Sequence, residues 1–485
     1  TLVDKTRRIG LFCGKCLDVR CQVSNKLFFH LFNRSIFSFW NQETKAMNWI
    51  VLVCIPLLIL YVVVLIHVIL GFVQIMRCIS KNAQEKLDSK IDPATLEGVT
   101  ILRPLKGIES EMTKCLESSF LQNYPTDKLE IIFCVQSKND PCIPIVENLI
   151  NKYPYVDSKL LIDENQNNLD YFGPNPKVNN LHKGYKSGKF DIMWIMDSNV
   201  YADRNTLQRS IYSLQNNLNN GSNVLPFHNK KVKTITHVPI VKCQSKHMIN
   251  WGARLDEMFM STSHAKFYVA LNTLQPAPCI NGKSNIFRRS DLDYSVAKLN
   301  NIVVNKGEGL SHFAKYIGED NMIGIALWDG VDGCSGMSCD IVIQPIEGQN
   351  KVRDYMDRRV RWLRVRKYMV MAATLIEPTT ESLVSGLIGS IAINAILMNG
   401  ELKPLWVYFF FHMMIWYLID WIQYHRLQSF NNSSKDHKKF FMLWLLREIL
   451  ALPVWIIAMC GSGIEWRGQP FIILPDLSAE AVVSE

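Results

Sequence analysis

Apolar residues are spread unevenly along this chain. No Asp, Glu, Lys or Arg occurs from residue 46 to residue 76, a stretch longer than the roughly 20 residues that a helix needs to cross a bilayer. Near the C-terminus, three further apolar stretches follow one another with short connections, at residues 382–400, 404–424 and 440–460. The pattern predicts one transmembrane helix at residues 47–77 and three more within residues 381–461.

Between residues 97 and 380, short apolar runs alternate with longer helix-like stretches, a pattern typical of an α/β domain with a mostly parallel sheet. Four runs are predicted to be strands, at residues 99–102, 129–135, 159–162 and 191–196. Lys106, Asp140 and Asp197 follow the first, second and fourth of these runs. Because the carboxyl ends of parallel strands form the ligand crevice, we expect these three side chains at one edge of a domain spanning residues 78–350.

The distribution of charge predicts which side of the membrane this domain faces. Arg77, Lys81, Lys86 and Lys90 follow the first helix, and positive residues remain on the cytosolic side. Three more crossings then place the tail, residues 462–485, in the lumen. The net charge of +9 is explained by anionic cytosolic lipid rather than by nucleic acid, and the 13 cysteines need no disulfides in a reducing compartment.

The segment before the first helix is expected to play no part in function. Met47 stands immediately before the apolar stretch, where a natural start would fit, so residues 1–46 are interpreted as a disordered or non-native leader. Alternatively the first apolar stretch is a cleaved signal peptide, but it is too long and has no small-residue cleavage site.

Asp197-Ser198-Asn199 is similar to the Asp-x-Asp element with which nucleotide-sugar transferases hold a divalent ion on a diphosphate. Hard cations such as Mg²⁺ or Mn²⁺ prefer oxygen ligands, although Asn199 is a weaker, neutral one. Alternatively, Asp197 caps the next helix. Lys177, at the start of a helix, can reach a phosphate or a sugar hydroxyl, or it is a surface lysine that follows a turn.

Glu319 and Asp320 precede an apolar helix. Two acids at a helix start can simply complement the helix dipole. Transfer of a sugar to an alcohol, however, needs a base to accept the hydroxyl proton, and a carboxylate in a lipid-shielded cleft has the raised basicity for that role.

The densest basic stretch lies within residues 351–380 and interleaves arginines with apolar residues. It is predicted to be an amphipathic helix on the cytosolic leaflet, and its arginines could also bind a departing diphosphate. Asp420, Arg447 and Glu448 lie inside apolar segments, where ionisable residues are functional candidates. The alternative for Arg447 and Glu448 is a mutually satisfied structural pair.

Eight motifs in this order resemble the ceramide glucosyltransferases, in particular their fungal-like branch. They are Arg103-Pro-Leu-Lys-Gly107, Cys134-Val-Gln-Ser-Lys-Asn-Asp-Pro141, Asn175-Pro-Lys-Val-Asn-Asn180, Trp194-Ile-Met-Asp-Ser-Asn199, Thr262-Ser-His-Ala-Lys-Phe-Tyr268, Gly318-Glu-Asp320, Arg358-Arg-Val-Arg-Trp362 and Trp444-Leu-Leu-Arg-Glu448. The resemblance implies a GT-A glycosyltransferase fold. It also implies inverting transfer of glucose from UDP-glucose to the primary hydroxyl of ceramide, at a Golgi or endoplasmic reticulum membrane.

The resemblance also implies roles for individual residues. Asp140 matches an aspartate near the uridine, Asp197 the aspartate on the diphosphate and its ion, and Asp320 the general base. Three residues match the family's (Gln/Arg)-x-x-Arg-Trp signature, which lies by the diphosphate and the acceptor channel: Arg358, Arg361 and Trp362. His264 matches a histidine implicated in donor or inhibitor binding. Lys106 and Lys177 complete the expected donor site.

Two other functions compete with this one. A processive polysaccharide synthase of the chitin or hyaluronan type shares the aspartates and the signature, but it needs more membrane helices and usually has Gln where this chain has Arg358. A catalytically inactive membrane scaffold would be expected to lose one of the key residues, and Asp140, Asp197, Asp320 and Arg361 are all present.

Overall fold

The structure, a computed structural model, describes residues 45–162, 171–223, 229–244, 250–397, 402–428, 437–466 and 469–482. The leader predicted at residues 1–46 therefore lies almost entirely outside the described residues. The helices are α1 (Lys45–Cys78), α2 (Lys81–Asp88), α3 (Met112–Phe120), α4 (Ile143–Lys152), α5 (Pro176–Ser187), α6 (Thr206–Gln215), α7 (Trp251–Phe259), α8 (Ala265–Leu274), α9 (Arg289–Asn300), α10 (Glu319–Gly330), α11 (Val352–Met369), α12 (Met371–Ile376), α13 (Ser382–Leu397), α14 (Leu402–Gln428) and α15 (His437–Met459). The strands are β1 (Val99–Leu105), β2 (Leu129–Val135), β3 (Asp157–Ile162), β4 (Ile192–Met196), β5 (Tyr201–Ala202), β6 (Leu218–Asn219), β7 (Ser222–Asn223), β8 (Lys231–Cys243), β9 (Ser284–Arg288), β10 (Gly333–Ile346), β11 (Gly463–Trp466), β12 (Gln469–Ile473) and β13 (Ala479–Ala481).

One eight-stranded sheet carries the four predicted strands, in the order β3-β2-β1-β4-β9-β8-β10-β5. Strands β3, β2, β1 and β4 are all parallel, while β9 runs antiparallel to both β4 and β8. The predicted α/β class with a mostly parallel sheet and flanking apolar helices is confirmed, since only β9 and β5 run against the other six strands of this sheet. Because β1, β2 and β4 are parallel, their carboxyl ends share one edge.

Strands β1, β2 and β4 are predominantly apolar because helices cover both faces of the sheet, and their polar residues Thr100, Arg103 and Glu130 are buried. Every residue of the three strands is buried. Ile101, Ile131 and Trp194, one from each strand, belong to the largest apolar cluster. A rigid sheet is thereby formed whose edge loops carry the polar residues.

The chain divides into two compact units. The smaller comprises residues 45–65 and Met369–Trp416. Within it, the Tyr61 hydroxyl and His412 Nδ1 are 3.0 Å apart, and Gly389 lies so close to the Tyr61 ring that a Cβ would be 2.6 Å from it. Small residues of this kind allow apolar helices to pack closely in a membrane.

In the part of the chain that the structure describes, three helices are long and apolar enough to cross a membrane, at Leu52–Cys78, Pro404–Gln428 and His437–Met459. A further pair of helices, Met371–Thr380 and Ser382–Leu397, is long and apolar enough when its two members are counted together, but the pair is bent by 85°. Ser382–Leu397 corresponds to the second predicted membrane helix, and the pair counts as one span only if its two members cross the membrane together.

The C-terminal tail lies against the α/β domain. Strands β11, β12 and β13 form an antiparallel sheet, and Ala479 N donates to Lys315 O at 2.9 Å. Phe471 packs near Val365 and Ile317 in one apolar cluster. A hydrogen bond cannot form across the roughly 30 Å hydrocarbon core of a bilayer. The tail and the α/β domain therefore lie on the same side of a bilayer, and the side that they face stays a prediction.

Candidate active site

The loops after β1 and β2 are held together by Asp140. Its Oδ1 and Oδ2 accept from Gly107 N at 3.0 and 2.9 Å, and Oδ1 also accepts from Cys142 N at 3.0 Å. Gly107 has a φ of +69°, a conformation that favours glycine. Asp140 thus fixes the turn that presents Lys106, which is exposed.

Arg103 on β1 orients the loop that carries Asp197. Its guanidinium is fully buried and donates to Val200 O at 3.0 Å and Ser198 O at 3.4 Å. Burial lowers the pKa of Arg103 to about 10. This contact fixes the backbone directly after β4. Arg103, the arginine of the Arg103-Pro-Leu-Lys-Gly107 motif, therefore lies beneath the site.

Two lysines bind the carboxylate of Asp197. Lys177 Nζ is 2.8 Å from Oδ1, and Lys283 Nζ is 3.1 Å from Oδ2. The same Lys283 ammonium is 3.1 Å from Asn199 Oδ1. Burial alone would raise the pKa of Asp197, but the charges of Lys177 and Lys283 outweigh it and lower the pKa to about 2. Asp197 is therefore an anion across the physiological pH range.

Asp320 and Glu319 form the first turn of α10 beside these lysines. Lys177 Nζ is 3.0 Å from Glu319 Oε1, and Asn175 Nδ2 donates to Glu319 Oε2 at 2.9 Å. Glu319 is thus ion-paired with Lys177, which it shares with Asp197, and hydrogen-bonded to Asn175. Burial, followed by repulsion from Glu319, raises the pKa of Asp320 to about 7, which is suited to a general base at neutral pH.

A pocket joins these acids to apolar side chains. Lys177, Glu319 and Asp320 line one side, and its apolar wall includes Ile280 and Leu310. Perturbed acids in a pocket that also has apolar walls are the usual mark of a binding site.

A chain of contacts runs from this pocket to the signature on α11. Asn281 Oδ1 accepts from Lys283 N at 2.8 Å, and Asn281 Nδ2 donates to the Tyr268 hydroxyl at 2.7 Å. The Tyr268 ring stacks on His264, with centroids 5.4 Å apart, and His264 faces Trp362 at 6.5 Å. His264 lies in a π-helical segment, a feature frequent at functional sites, and burial lowers its pKa to about 3.

The basic helix α11 packs one side against the protein. Val360 and Leu363 pack against Val454 and Ala458 of α15. Arg358 pairs with Asp256 at 2.9 Å, whereas Arg361 donates to the Glu465 carbonyl at 3.4 Å. Lys367 and Arg364 donate to the last carbonyls of α15, at Met459 and Ile457, where cations complement the helix dipole. Arg358 and Arg361, the two arginines predicted to lie at the site, therefore contact groups other than Asp197 and Asp320.

A second buried ionic network surrounds Asp420 of α14. Lys266 Nζ is 2.6 Å from Asp420 Oδ1, Trp444 Nε1 donates to Oδ2 at 2.9 Å, and Arg447 is 3.5 Å from Oδ2. Arg447 also pairs with Glu448. The negative charges of the two acids and the positive charges of Lys266 and Arg447 balance each other. This agrees with the alternative that Arg447 and Glu448 form a mutually satisfied structural pair.

The surroundings of Asp197 do not fit a Mg²⁺ or Mn²⁺ site. Lys177 and Lys283 direct ammonium groups at both carboxylate oxygens and at Asn199. Positive groups at these distances repel a divalent cation. Within the described ranges, no group of three or more His, Cys, Asp or Glu is arranged to hold a metal ion.

Of the predicted site residues, Lys177, Asp197 and Asp320 lie around one network, whereas Asp140 and Lys106 lie at the same sheet edge beyond β1. His264 and Trp362 adjoin the network through Tyr268 and Asn281. Sequence reasoning missed Lys283. The available signal was the polar turn Asn281-Gly-Lys-Ser-Asn285 directly before β9.

The fold and the site define a glycosyltransferase domain combined with apolar helices, and a family model described as "Glycosyl transferase family 21" matches residues 60–479. The chain belongs to this family. It is 42% identical to a ceramide glucosyltransferase from Candida albicans, covering 87% of this chain and 96% of that protein. It is 44% identical to a ceramide glucosyltransferase from Komagataella phaffii, covering 88% and 92% respectively. The resemblance to the fungal ceramide glucosyltransferases is confirmed.

Among solved structures, the chain is similar to a mannosyltransferase from Pyrobaculum calidifontis in complex with GDP-Man and Mn2+. The TM-score is 0.36 and the identity is 13%, covering 81% of this chain and 99% of that one.

Proposed function

We propose that this protein transfers glucose from UDP-glucose to the primary hydroxyl of ceramide, with inversion at the anomeric carbon, on the cytosolic face of a Golgi or endoplasmic reticulum membrane. Its family membership and its similarity to two yeast ceramide glucosyltransferases support this function. The observation that carries the proposal is Asp320, a carboxyl group with a pKa raised to about 7 that lines the same pocket as Lys177.

In the proposed reaction, Asp320 accepts the proton of the ceramide hydroxyl as its oxygen bonds to the anomeric carbon. The bond from that carbon to the diphosphate breaks, and its electron pair leaves with UDP. A base is effective when its pKa lies near the working pH. The burial of Asp320 and the nearby charge of Glu319 raise its pKa into that range. In this assignment Glu319 tunes Asp320 and contacts no substrate.

Negative charge develops on the diphosphate as the bond breaks, and positive groups fixed beforehand stabilise it most. Lys177 and Lys283 already lie beside Asp197. Arg358 and Arg361 would join them only if they exchanged their present partners, Asp256 and the Glu465 carbonyl. Asp140 would position the uridine indirectly, through the Gly107 turn that it holds.

Ceramide would enter from the bilayer along the apolar side of the site. The pocket wall next to Asp320 includes Ile280, Leu310 and Ile323, which suit the hydrocarbon part of an acceptor. The described chain also contains apolar helices long enough to span a membrane. These features support an acceptor that reaches Asp320 with its hydroxyl while its tails remain in lipid.

The test is an assay of purified membranes that contain the full chain, supplied with labelled UDP-glucose and a short-chain ceramide. We expect labelled glucosylceramide of β configuration. UDP-galactose and UDP-N-acetylglucosamine serve as donor controls. A polymeric product would instead support a polysaccharide synthase, and the absence of any product with every donor would support an inactive scaffold.

A further inference from the structure

The backbone fixes Lys283 opposite Asp197. Strand β9 pairs antiparallel with β4, with Ser284 opposite Met196. The pairing continues one residue further, because Asp197 N donates to Lys283 O at 3.0 Å. Gly282 precedes it at a point where a Cβ would lie 3.4 Å from Asp320 Oδ2. The sheet itself therefore holds Lys283 directly after Gly282, which lines the pocket.

The ammonium of Lys283 lies between two oxygens, 3.1 Å from Asp197 Oδ2 and 3.1 Å from Asn199 Oδ1. An Asp-x-Asn element would offer these same two oxygens to a chelated cation. A lysine at this position therefore supplies positive charge where a metal ion would otherwise supply it, and the neutral Asn199 suits a monovalent ammonium better than it suits a divalent ion.

The hydrogen-bond count distinguishes the two lysines. An ammonium group has three N–H donors. Lys177 directs its Nζ at three acceptors, Asp197 Oδ1, Glu319 Oε1 and Gly282 O. Lys283 directs its Nζ at two acceptors among the described residues, and its side chain is 21% exposed. One N–H of Lys283 is thus available to a ligand at the open side of the site.

We infer that Lys283 binds the diphosphate of the sugar-nucleotide donor in the place of a divalent cation, so that donor binding and transfer need no divalent ion. This inference rests on the proposed function for the identity of the donor. It differs from that function because it concerns binding of a nucleoside diphosphate, which can be measured without any acceptor. The opposing interpretation is that Lys283 and Asp197 are only a structural ion pair.

The test measures UDP binding by the purified full-length protein, in detergent or nanodiscs, by calorimetry in excess EDTA and then with added Mg²⁺ or Mn²⁺. We expect the unmodified protein to bind UDP within about twofold of the same affinity in both conditions. Lys283→Met should weaken binding in EDTA by about tenfold or more, the usual size of one charge-assisted hydrogen bond. It should regain part of that loss with added metal, because Asp197 and Asn199 then face the ion.

Lys283→Arg keeps the positive charge and should bind UDP in EDTA within a few-fold of the unmodified protein, even if Lys283→Met is poorly folded. Lys306→Met, which changes an exposed lysine, is the matched control and should change nothing. UDP binding that is abolished by EDTA in the unmodified protein would overturn the inference, as would unchanged affinity in Lys283→Met. Glucosylceramide formed only with added metal would refute the inference while supporting the proposed function. Metal-free binding that depends on Lys283, without glucosylceramide, would refute the function alone.

Discussion

The buried ionic networks around Asp197 and around Asp420, both in the larger unit, differ in how completely they are closed. In the second, the side chains of Lys266 and Asp420 are both 0% exposed. In the first, Lys177 and Asp197 are 14% and 22% exposed. The Asp420 network balances its charges internally, whereas the Asp197 network is open to a pocket and adjoins Asp320, an acid whose pKa is raised to about 7.

The difference teaches how to distinguish a structural buried ion pair from a functional one. Both networks place charges where desolvation is costly. Only the Asp197 network combines partial access to solvent with a perturbed acid and an apolar wall, the combination expected where a charged substrate binds. Removing a charge should therefore affect catalysis in the first network and stability in the second.

The largest expected effect is on turnover, from Asp320→Asn. The amide keeps the shape of the side chain but cannot accept the hydroxyl proton, and loss of a general base typically costs about 10²- to 10⁴-fold in rate. The rate of glucosylceramide formation at saturating donor measures this effect, and thermal unfolding should change little. Asp357→Asn, on an exposed acid of α11, is the control. Full turnover in Asp320→Asn would remove the general-base assignment.

The second prediction breaks the closed network with Asp420→Leu. Lys266 then keeps a buried charge without its carboxylate, and removing one partner of a buried pair typically costs about 3–5 kcal/mol. Thermal or denaturant unfolding in detergent should show the loss. The double variant Lys266→Met/Asp420→Leu should recover most of it, because apolar replacements remove both charges together. If the single variant unfolds like the unmodified protein, the Asp420 network is not a source of stability.

A third prediction uses pH to sharpen the contrast. Since the pKa of Asp320 is raised to about 7, the base is protonated and inactive below that pH. The rate should fall about tenfold per pH unit below 7 and level off above it. Asp197, with a pKa lowered to about 2, and Lys177, with a raised pKa, keep their charges throughout this window. A profile without a transition between pH 6 and 8, with chemistry rate-limiting, would contradict the assignment.

Much of the fold could be predicted because local patterns determine it. The apolar runs of β1, β2 and β4 predicted the parallel half of the sheet, and the polar residues after them indicated its functional edge. Asp197 and Asp320 were also predicted as site residues, since an acid after a buried strand and an acid before an apolar helix are local signals.

The remainder depends on contacts between distant segments. Lys283 reaches Asp197 only because β9 enters the sheet antiparallel beside β4, and no local pattern fixes that pairing. The tail was predicted to be lumenal from the number of apolar stretches and from the charge bias of the segments around them. In the structure, Lys367 and Arg364 of α11 donate to the end of α15, and the tail contacts the α/β domain at Lys315, contacts that no local pattern reveals.

The smallest expected effect comes from Asn175, which caps α5 and also contacts Glu319 in the open network around Asp197. Its Oδ1 accepts from Lys177 N at 2.9 Å and from Val178 N at 3.2 Å, and its Nδ2 donates to Glu319 Oε2 at 2.9 Å. Asn175→Ala should cost about 1–2 kcal/mol of unfolding free energy through loss of the cap, measured by denaturant unfolding. The donor KM should rise a few-fold, because Lys177 follows directly.

Asn175→Ser separates the two contributions, because serine caps a helix about as well as asparagine but is too short to reach Glu319. We expect this variant to keep most of the stability that Asn175→Ala loses, while its donor KM remains raised. Asn175 Nδ2 also donates to Tyr316 O at 2.7 Å. If both variants lose stability equally, the contacts of Nδ2 with Glu319 and Tyr316, rather than the cap, hold the start of α5. The open network would then resemble the closed network around Asp420 more than its access to solvent suggests, because its ionic contacts would also contribute to stability.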